Sequence, residues 1–164
     1  MKRIKTLFST LLFSGVAAAG SLTDFAENKV VDATLRAQAI GTPVTWYVAL
    51  YTACPTDSTA GTEVSGGNYA RVAITAGLAG FAGTQGAGTT VASSGTGGTT
   101  SNNAVISFTS PTTWTAVFNC CGITDAATAG NLWIYSAITG APKTINTGDT
   151  VSFAIGAATF QIDN

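Results

Sequence analysis

Short segments after Pro43 are rich in β-branched and aromatic residues, as in strands where side chains alternate between two faces, and this pattern constrains the fold more than any other feature. The clearest segment, residues 44–52 (VTWYVALYT), is rich in β-branched and aromatic residues and is apolar on both alternating faces. One face carries Trp46, Val48 and Leu50, and the other carries Tyr47, Ala49 and Tyr51. The segment is therefore expected to be a central strand that is covered on both sides.

Six further segments have a strand-like composition, and turn-forming clusters of Gly, Pro, Asn and Asp separate many of them. The segments are residues 69–75, 104–109, 115–124, 132–139, 150–155 and 158–162. Short strands at this spacing predict a mainly β fold, an antiparallel β-sandwich or jelly-roll-like domain over residues 41–164, with one N-terminal helix before it.

The helix is expected within residues 21–40. Ser21 is a candidate N-cap, Asp24 stands three positions later as in a capping box, and Gly41 and Pro43 end the element. Apolar residues at spacings of three to four form a stripe that includes Leu22, Phe25 and Val30. This stripe packs either on a sheet of its own chain or on a neighbouring subunit.

Residues 1–20 resemble a secretory signal, with a basic start, an apolar stretch over residues 6–16 and three alanines before a cleavage position. Ser9, Ser14 and Gly15 interrupt the stretch, so we expect no stable membrane span, which needs about 20 apolar residues. The interpretation that we favour is an apolar arm that stays on the chain and docks on a partner. Its anchor side chains, expected to act with the helix stripe, are Leu7, Phe8, Leu11, Leu12, Phe13 and Val16.

A segment over residues 78–103 consists mainly of Gly, Thr, Ser and Ala and carries no charge. Because such a segment buries little apolar area to offset the entropy of ordering it, it predicts a long surface loop or a mobile arm. Either it touches a receptor or a neighbouring copy, or it is a tolerated insertion.

Charge is sparse, with 7 Lys plus Arg, 8 Asp plus Glu and no His among 164 residues, for a net charge of −1. The absence of imidazole excludes Ser/His/Asp and Cys/His relays as well as zinc sites with His ligands. So few cations suit a polyphosphate backbone poorly, and we expect no nucleic-acid partner. Since charged surfaces keep monomers apart, the neutral body predicts a homo-oligomer, with a trimer preferred.

The three cysteines are Cys54, Cys120 and Cys121. Adjacent residues of a strand point to opposite faces, so Cys120 and Cys121 cannot both join one site with Cys54, and a three-thiolate metal site is disfavoured. Two alternatives are open: buried free thiols, or one disulfide from Cys54 to a member of the pair.

The carboxylates after residue 41 are scattered along the chain, and most lie in turn-like contexts where the side chain bonds nearby backbone. They are Asp57, Glu63, Asp125, Asp149 and Asp163. Nothing indicates the paired carboxylates with shifted pKa values that a glycosidase needs, and no repeated D-x-D pattern indicates calcium at Asp125 or Asp149. We therefore expect no catalytic residues, no metal and no cofactor.

Four segments occur in a characteristic order: FAENKVVDATLR, TWYVALYTACPTDSTAGTEVSGGNYARVAI, GITDAATAGNLWIYSAI and APKTINTGDTVSF. They resemble a family of small structural proteins of tailed bacteriophages, the head-fibre, decoration or tail-fibre proteins. In that family a short helix precedes a YVALYT-type strand, a PTD turn, a GTEVSGG segment and a C-terminal hairpin. The resemblance covers residues 22–163 apart from the Gly-rich segment, and it does not extend to residues 1–20.

The resemblance implies a non-enzymatic virion protein that decorates or reinforces the capsid exterior, with further copies of itself and the major capsid protein as partners. A tail fibre or tail-tip component is the alternative within the virion. Outside the virion, the alternatives are an exported adhesin or pilin-like subunit with residues 1–19 cleaved, and a carbohydrate-active β-sandwich enzyme or lectin.

Overall fold

The computed structural model describes residues 10–13, 21–95, 97–109 and 111–162. Within them one helix, α1, spans Asp24–Leu35, and the other regular elements are strands. The strands are β1 (Thr10–Phe13), β2 (Ser21–Leu22), β3 (Thr45–Ala53), β4 (Thr62–Glu63), β5 (Val72–Thr75), β6 (Thr99–Ser101), β7 (Ile106–Ser107), β8 (Ala116–Phe118), β9 (Cys120–Thr124), β10 (Leu132–Ala137), β11 (Lys143–Ile145), β12 (Thr150–Phe153) and β13 (Thr159–Gln161).

The largest sheet has six antiparallel strands in the order β2-β10-β9-β3-β4, with β5 also paired to β3. Along one side of β3 lies β9, and along the other side lie β5 and then β4. Val48 consequently stands opposite Ile123 on one neighbour and Val72 on the other. The predicted central strand is confirmed, one residue later than the sequence pattern suggested.

Three smaller sheets have the orders β1-β12-β7, β11-β8 and β13-β6. Side chains from all three join β3, β5 and β9 of the large sheet in one hydrophobic core. The buried aromatic residues of this core are Phe108, Trp114, Phe118, Phe153 and Phe160. The expected mainly antiparallel β fold with a single N-terminal helix is confirmed, and the covering of the large sheet by smaller ones is sandwich-like.

The two faces of β3 belong to different clusters, as the alternation predicted. Val48 and Leu50 lie in the main core, whereas Ala49 and Tyr51 form a second buried cluster with Cys120. Leu132 of β10 packs against that second cluster. Both sides of β3 are therefore covered. The alternation of residues in the sequence correctly predicted which β3 side chains lie on each side.

Residues 115–124, expected as one strand, form two strands that belong to different sheets. Asn119 lies between them: its backbone N–H donates to Tyr51 O at 2.9 Å, and its Nδ2 donates to Thr52 O at 2.6 Å. The chain passes at Asn119 from the β11-β8 pair to the large sheet. The break between β8 and β9 depends on these carbonyl acceptors of β3. The alternation of residues within 115–124 carries no information about them.

Helix α1 begins at Asp24 and has Thr23 as its N-cap, so the predicted Ser21 cap is wrong. Thr23 Oγ1 accepts from Ala26 N at 3.4 Å and donates to Leu132 O at 2.6 Å. Ser21 instead pairs with Tyr135 of β10 as part of β2. The cap is therefore set by the neighbouring strand. Among the described residues, no helix has the length and hydropathy needed to cross a membrane.

The described residues of the Gly-rich segment form mainly turns, bends and irregular backbone, and the segment returns to the body at both of its ends. Phe81 forms a bridge to Asn102 and packs against the main core. At the other end, Thr99–Ser101 forms β6 and pairs with β13, an element that the composition did not predict. Asn102 is fully buried, and its side chain bonds Ala104 O, Ala154 O and Ala158 N. The segment has few apolar side chains, and hydrogen bonds from the buried Asn102 side chain help to hold it against the body.

Candidate functional site

A polar cleft on the large sheet is centred on Arg71, which precedes β5, and Glu63 of β4. Arg71 Nη2 lies 2.7 Å from Glu63 Oε2, and Nε lies 2.9 Å from Oε1, so the ion pair has two contacts. The same guanidinium donates through Nη1 to Thr124 Oγ1 and to the carbonyls of Ala126 and Ala129. Arg71 thus joins the β4 region to the turn that follows β9.

The hydroxyl of Tyr69 connects this ion pair to the centre of the sheet. It donates to Glu63 Oε1 at 3.1 Å and accepts from Leu50 N at 2.9 Å. Burial raises the pKa of Tyr69, and burial likewise raises the pKa of nearby Tyr51 to about 12. The hydrogen bond to Glu63 raises the pKa of Arg71. Both tyrosines therefore remain protonated and Arg71 remains charged at neutral pH.

The cleft has a volume of about 330 Å³, and its lining includes Glu63, Ser65, Tyr69, Arg71 and Thr128. The charged groups in it already bond one another, which is the arrangement of a structural clamp between loops. One feature of the sequence points to this site: Arg71 is one of only two cationic residues after residue 41, the other being Lys143. The pairing of Arg71 with Glu63 was not predicted.

The carboxylate of Asp125 organises the turn between β9 and β10, as its turn context suggested. It accepts from the backbone N and Nδ2 of Asn131 at 2.7 and 2.8 Å, and from Trp133 Nε1 at 3.2 Å. Partial burial opposes its ionisation, but these hydrogen bonds outweigh burial and lower the pKa of Asp125. Asp149 accepts from Asn146 N at 2.9 Å within its own turn.

Three exposed carboxylates meet at the N-terminus of α1: Asp24, Glu27 and Asp57, each with an oxygen within 4.8 Å of the others. Asp57 is brought there by the turn after β3, where its carbonyl accepts from Asp24 N at 3.1 Å. The positive end of the helix dipole favours negative charge at this place, which accounts for acidic residues in the first turn. The grouping of Asp57 with them was not predicted.

An apolar groove of about 220 Å³ lies between α1 and the large sheet. Of the predicted anchor residues, Leu22 and Val30 line it, and the ring of Phe25 lies 5.3 Å from that of Trp133 in an edge-to-face contact. Trp46 makes a similar contact with Trp133 at 5.1 Å. The helix stripe therefore packs on a sheet of its own chain, one of the two alternatives.

The other predicted anchors belong to residues 1–20. The backbone of Leu11, Leu12 and Phe13 lies in β1, where these residues pair in parallel with Val151, Ser152 and Phe153. Leu7, Phe8 and Val16 lie outside the described residues. The structure thus places the only described part of the arm at the edge of β12.

A disulfide joins Cys54 to Cys120, and Cys121 is a buried free thiol. Of the two alternatives, the disulfide is the one that forms, and Cys121 points into the main core on the opposite face of β9. Burial raises the pKa of Cys121 to about 12, so the thiol stays protonated. Cys121 therefore lacks the thiolate that binds metals or acts as a nucleophile.

A protein-family model described as "Podophage GP4 fiber I protein gp80" matches residues 21–161. The match includes α1, the whole large sheet and the Gly-rich segment, and it begins after the apolar arm. No curated protein matches the sequence.

Proposed function

We propose that this chain, which belongs to the family of podophage GP4 fiber I protein gp80, forms fibres on the exterior of a phage capsid. The family match carries the fibre part of this proposal, because it extends over the folded body from β2 to β13. The predicted resemblance to fibre proteins of tailed phages is confirmed. A virion-associated fibre protein follows from the family, whereas the alternative of a secreted adhesin receives no support from it.

Placement on the head rather than the tail is supported by the character of the domain. A small β domain of low charge suits repeated attachment to a shell, where many copies lie close together and like-charge repulsion is small. The major capsid protein is the partner that this placement implies. A tail fibre or tail-tip component is the second candidate, because the family description names a fibre without its position.

Labelling of intact virions tests the placement. A C-terminal epitope tag on the full chain, visualised with gold-conjugated antibody in electron micrographs, should mark the capsid surface. Untagged virions are the control. Gold confined to the tail would overturn the head placement and keep the fibre role, whereas tagged chains absent from purified virions would overturn both.

We also propose that the protein is a homo-oligomer, specifically a trimer. Large apolar side chains remain exposed on one chain, including Leu35 at 81%, Val44 at 83% and Val31 at 47%. Covering these side chains with further copies would remove their apolar area from water, which favours association. Light scattering of the purified protein should give three times the chain mass, and a stable monomer at micromolar concentration would contradict the proposal.

The role that we propose is non-enzymatic, without a cofactor and without a nucleic-acid partner. Support comes from two carboxylates that the fold engages: Glu63 is held by Arg71 and Tyr69, and Asp125 by Asn131 and Trp133. These carboxylates stabilise loops. The near-neutral charge of −1 likewise offers little attraction for a polyanion.

A further inference from the structure

The strand β1 is attached to the rest of the chain through one neighbour. Its residues run parallel to β12, with Thr10 opposite Thr150 and Phe13 opposite Phe153. Among the described elements, β12 is the only one with which β1 makes more than marginal contact. Because the pairing uses main-chain groups, any chain with the same strand can make it.

The recipient strand belongs to the core. Val151 is fully buried, and Ser152 and Phe153 are also buried. One edge of β12 is occupied by β7, in which Ser107 and Ile106 pair with Ser152 and Phe153. The other edge is the one that β1 covers, and without β1 its N–H and C=O groups would lack strand partners.

The region that the family model matches contains the recipient strand but not the donor strand. The family match begins at residue 21, so it includes β12 and β7 but excludes Thr10–Phe13. The folded domain by itself therefore presents an open edge on a core strand. The arm that fills this edge is joined to the domain at Ser21, in the large sheet, whereas β12 lies in a different sheet.

We propose that the β12 edge is a self-assembly surface, on which the Thr10–Phe13 strand of a second copy pairs in parallel with Thr150–Phe153. The inference rests on the proposed fibre role, because a fibre requires contacts between identical chains. An identical copy offers the same edge in the same register, so exchanging the strand preserves every hydrogen bond of the pairing. A chain that donates one strand and accepts another is linked to two neighbours, which is a geometry that builds rings or filaments.

Cross-linking between two distinguishable full-length chains tests the exchange. One chain carries Thr10→Cys and a mass-increasing tag, and the other carries Thr150→Cys; the two are co-expressed and treated with a short bis-maleimide. The native disulfide and the buried Cys121 leave these positions as the reactive thiols. We expect a product of the summed masses on a reducing gel. The matched control pairs Thr10→Cys with Thr144→Cys, an exposed position on β11, and should give no such product.

The double variant Thr10→Cys/Thr150→Cys, with both cysteines in one chain, detects pairing of the arm with its own β12. A product at monomer mass, together with no product between the single variants, means that the arm stays on its own chain and overturns the inference. Absence of product in both experiments overturns it as well. Incorporation of the wild-type chain into virions is measured separately, so that failure of the exchange and failure of the proposed fibre role remain distinguishable.

A second variant guards against misfolding of the cysteine chains. Leu12→Pro removes a backbone N–H from the donor strand without altering the domain that follows residue 21. We expect it to lower the oligomer mass in light scattering while the β-sheet circular dichroism is unchanged. Oligomers of wild-type mass would contradict strand exchange.

Discussion

The guanidinium of Arg71 and the carboxylate of Glu63 form a two-contact ion pair at 2.7 and 2.9 Å, in which the Arg71 side chain is only 10% exposed. The same guanidinium also bonds Thr124 Oγ1 and the carbonyls of Ala126 and Ala129, so Arg71 joins this pair to a segment that is far away in the sequence. Removing one partner would leave the other charge partly buried and without its counter-ion, which is more costly than the loss of the attraction alone.

Arg71→Ala is therefore expected to lower the free energy of unfolding by about 2–4 kcal/mol, a range discounted because the Glu63 side chain is 27% exposed. Urea denaturation measures the change. The matched control is Arg36→Ala, which breaks the pair with Asp32 at exposures of 69% and 36% and should cost less than about 1 kcal/mol. Equal effects of the two substitutions would contradict the assigned role of Arg71.

The lowered pKa of Asp125 predicts that the free energy of unfolding falls in acid. Its pKa is lowered in the folded protein, so its contribution to stability is complete above the unfolded-state pKa, about 3.9, and is lost as pH falls through the lower folded-state value. Asp125→Asn should lose less stability than the wild type when unfolding free energies are compared between pH 5 and pH 2. Parallel pH profiles for the two proteins would show that the turn does not depend on the ionised carboxylate.

The Cys54–Cys120 disulfide closes a long segment, with a sequence separation of 66. A cross-link over this distance is expected to stabilise the fold by about 4 kcal/mol, because it restricts the unfolded chain. Cys54→Ala should show this loss and should no longer respond to a reductant in thermal melts. Cys121→Ala is the control and should still respond, and a reductant-insensitive wild type would refute the prediction.

Deletion of residues 2–20 should leave a soluble, folded β domain that no longer joins the particle. The six predicted anchor side chains of the arm, from Leu7 to Val16, are each worth about 1.5–3 kcal/mol when fully buried on a partner, and the deletion removes that contribution. Circular dichroism reports the fold, and mass spectrometry of purified virions reports occupancy. Normal occupancy of the truncated chain would show that the arm is not the anchor.

Chelation tests the expectation that the domain needs no metal. Saturating EDTA should leave the melting temperature unchanged, because Asp125 and Asp149 bond groups of their own turns. A fall in melting temperature that disappears in the Asp57→Asn variant would instead assign an ion to Asp24, Glu27 and Asp57, the exposed group at the start of α1.

Features that depend on neighbouring residues followed from the sequence. Alternation along β3 correctly separated Val48 and Leu50 from Ala49 and Tyr51, because adjacent side chains of a strand point to opposite faces. The same reasoning separated Cys120 from Cys121. The motifs of residues 22–163 were sufficient to identify the fibre family, because each motif is a short run of sequence that can be recognised without knowing its contacts.

Features that depend on contacts between distant segments were decided by the tertiary structure. Thr62–Glu63 is too short to show a period and is a strand only because β3 offers it partners. Thr23 rather than Ser21 caps α1 because main-chain atoms of β10 bind both residues: Leu132 O accepts from Thr23 Oγ1, and Tyr135 pairs with Ser21. The meeting of Arg71 with Glu63, of Asp57 with Asp24 and of Thr10 with Thr150 likewise depends on which elements become neighbours. Neighbours are selected by the packing free energy of the whole domain, which no local pattern contains.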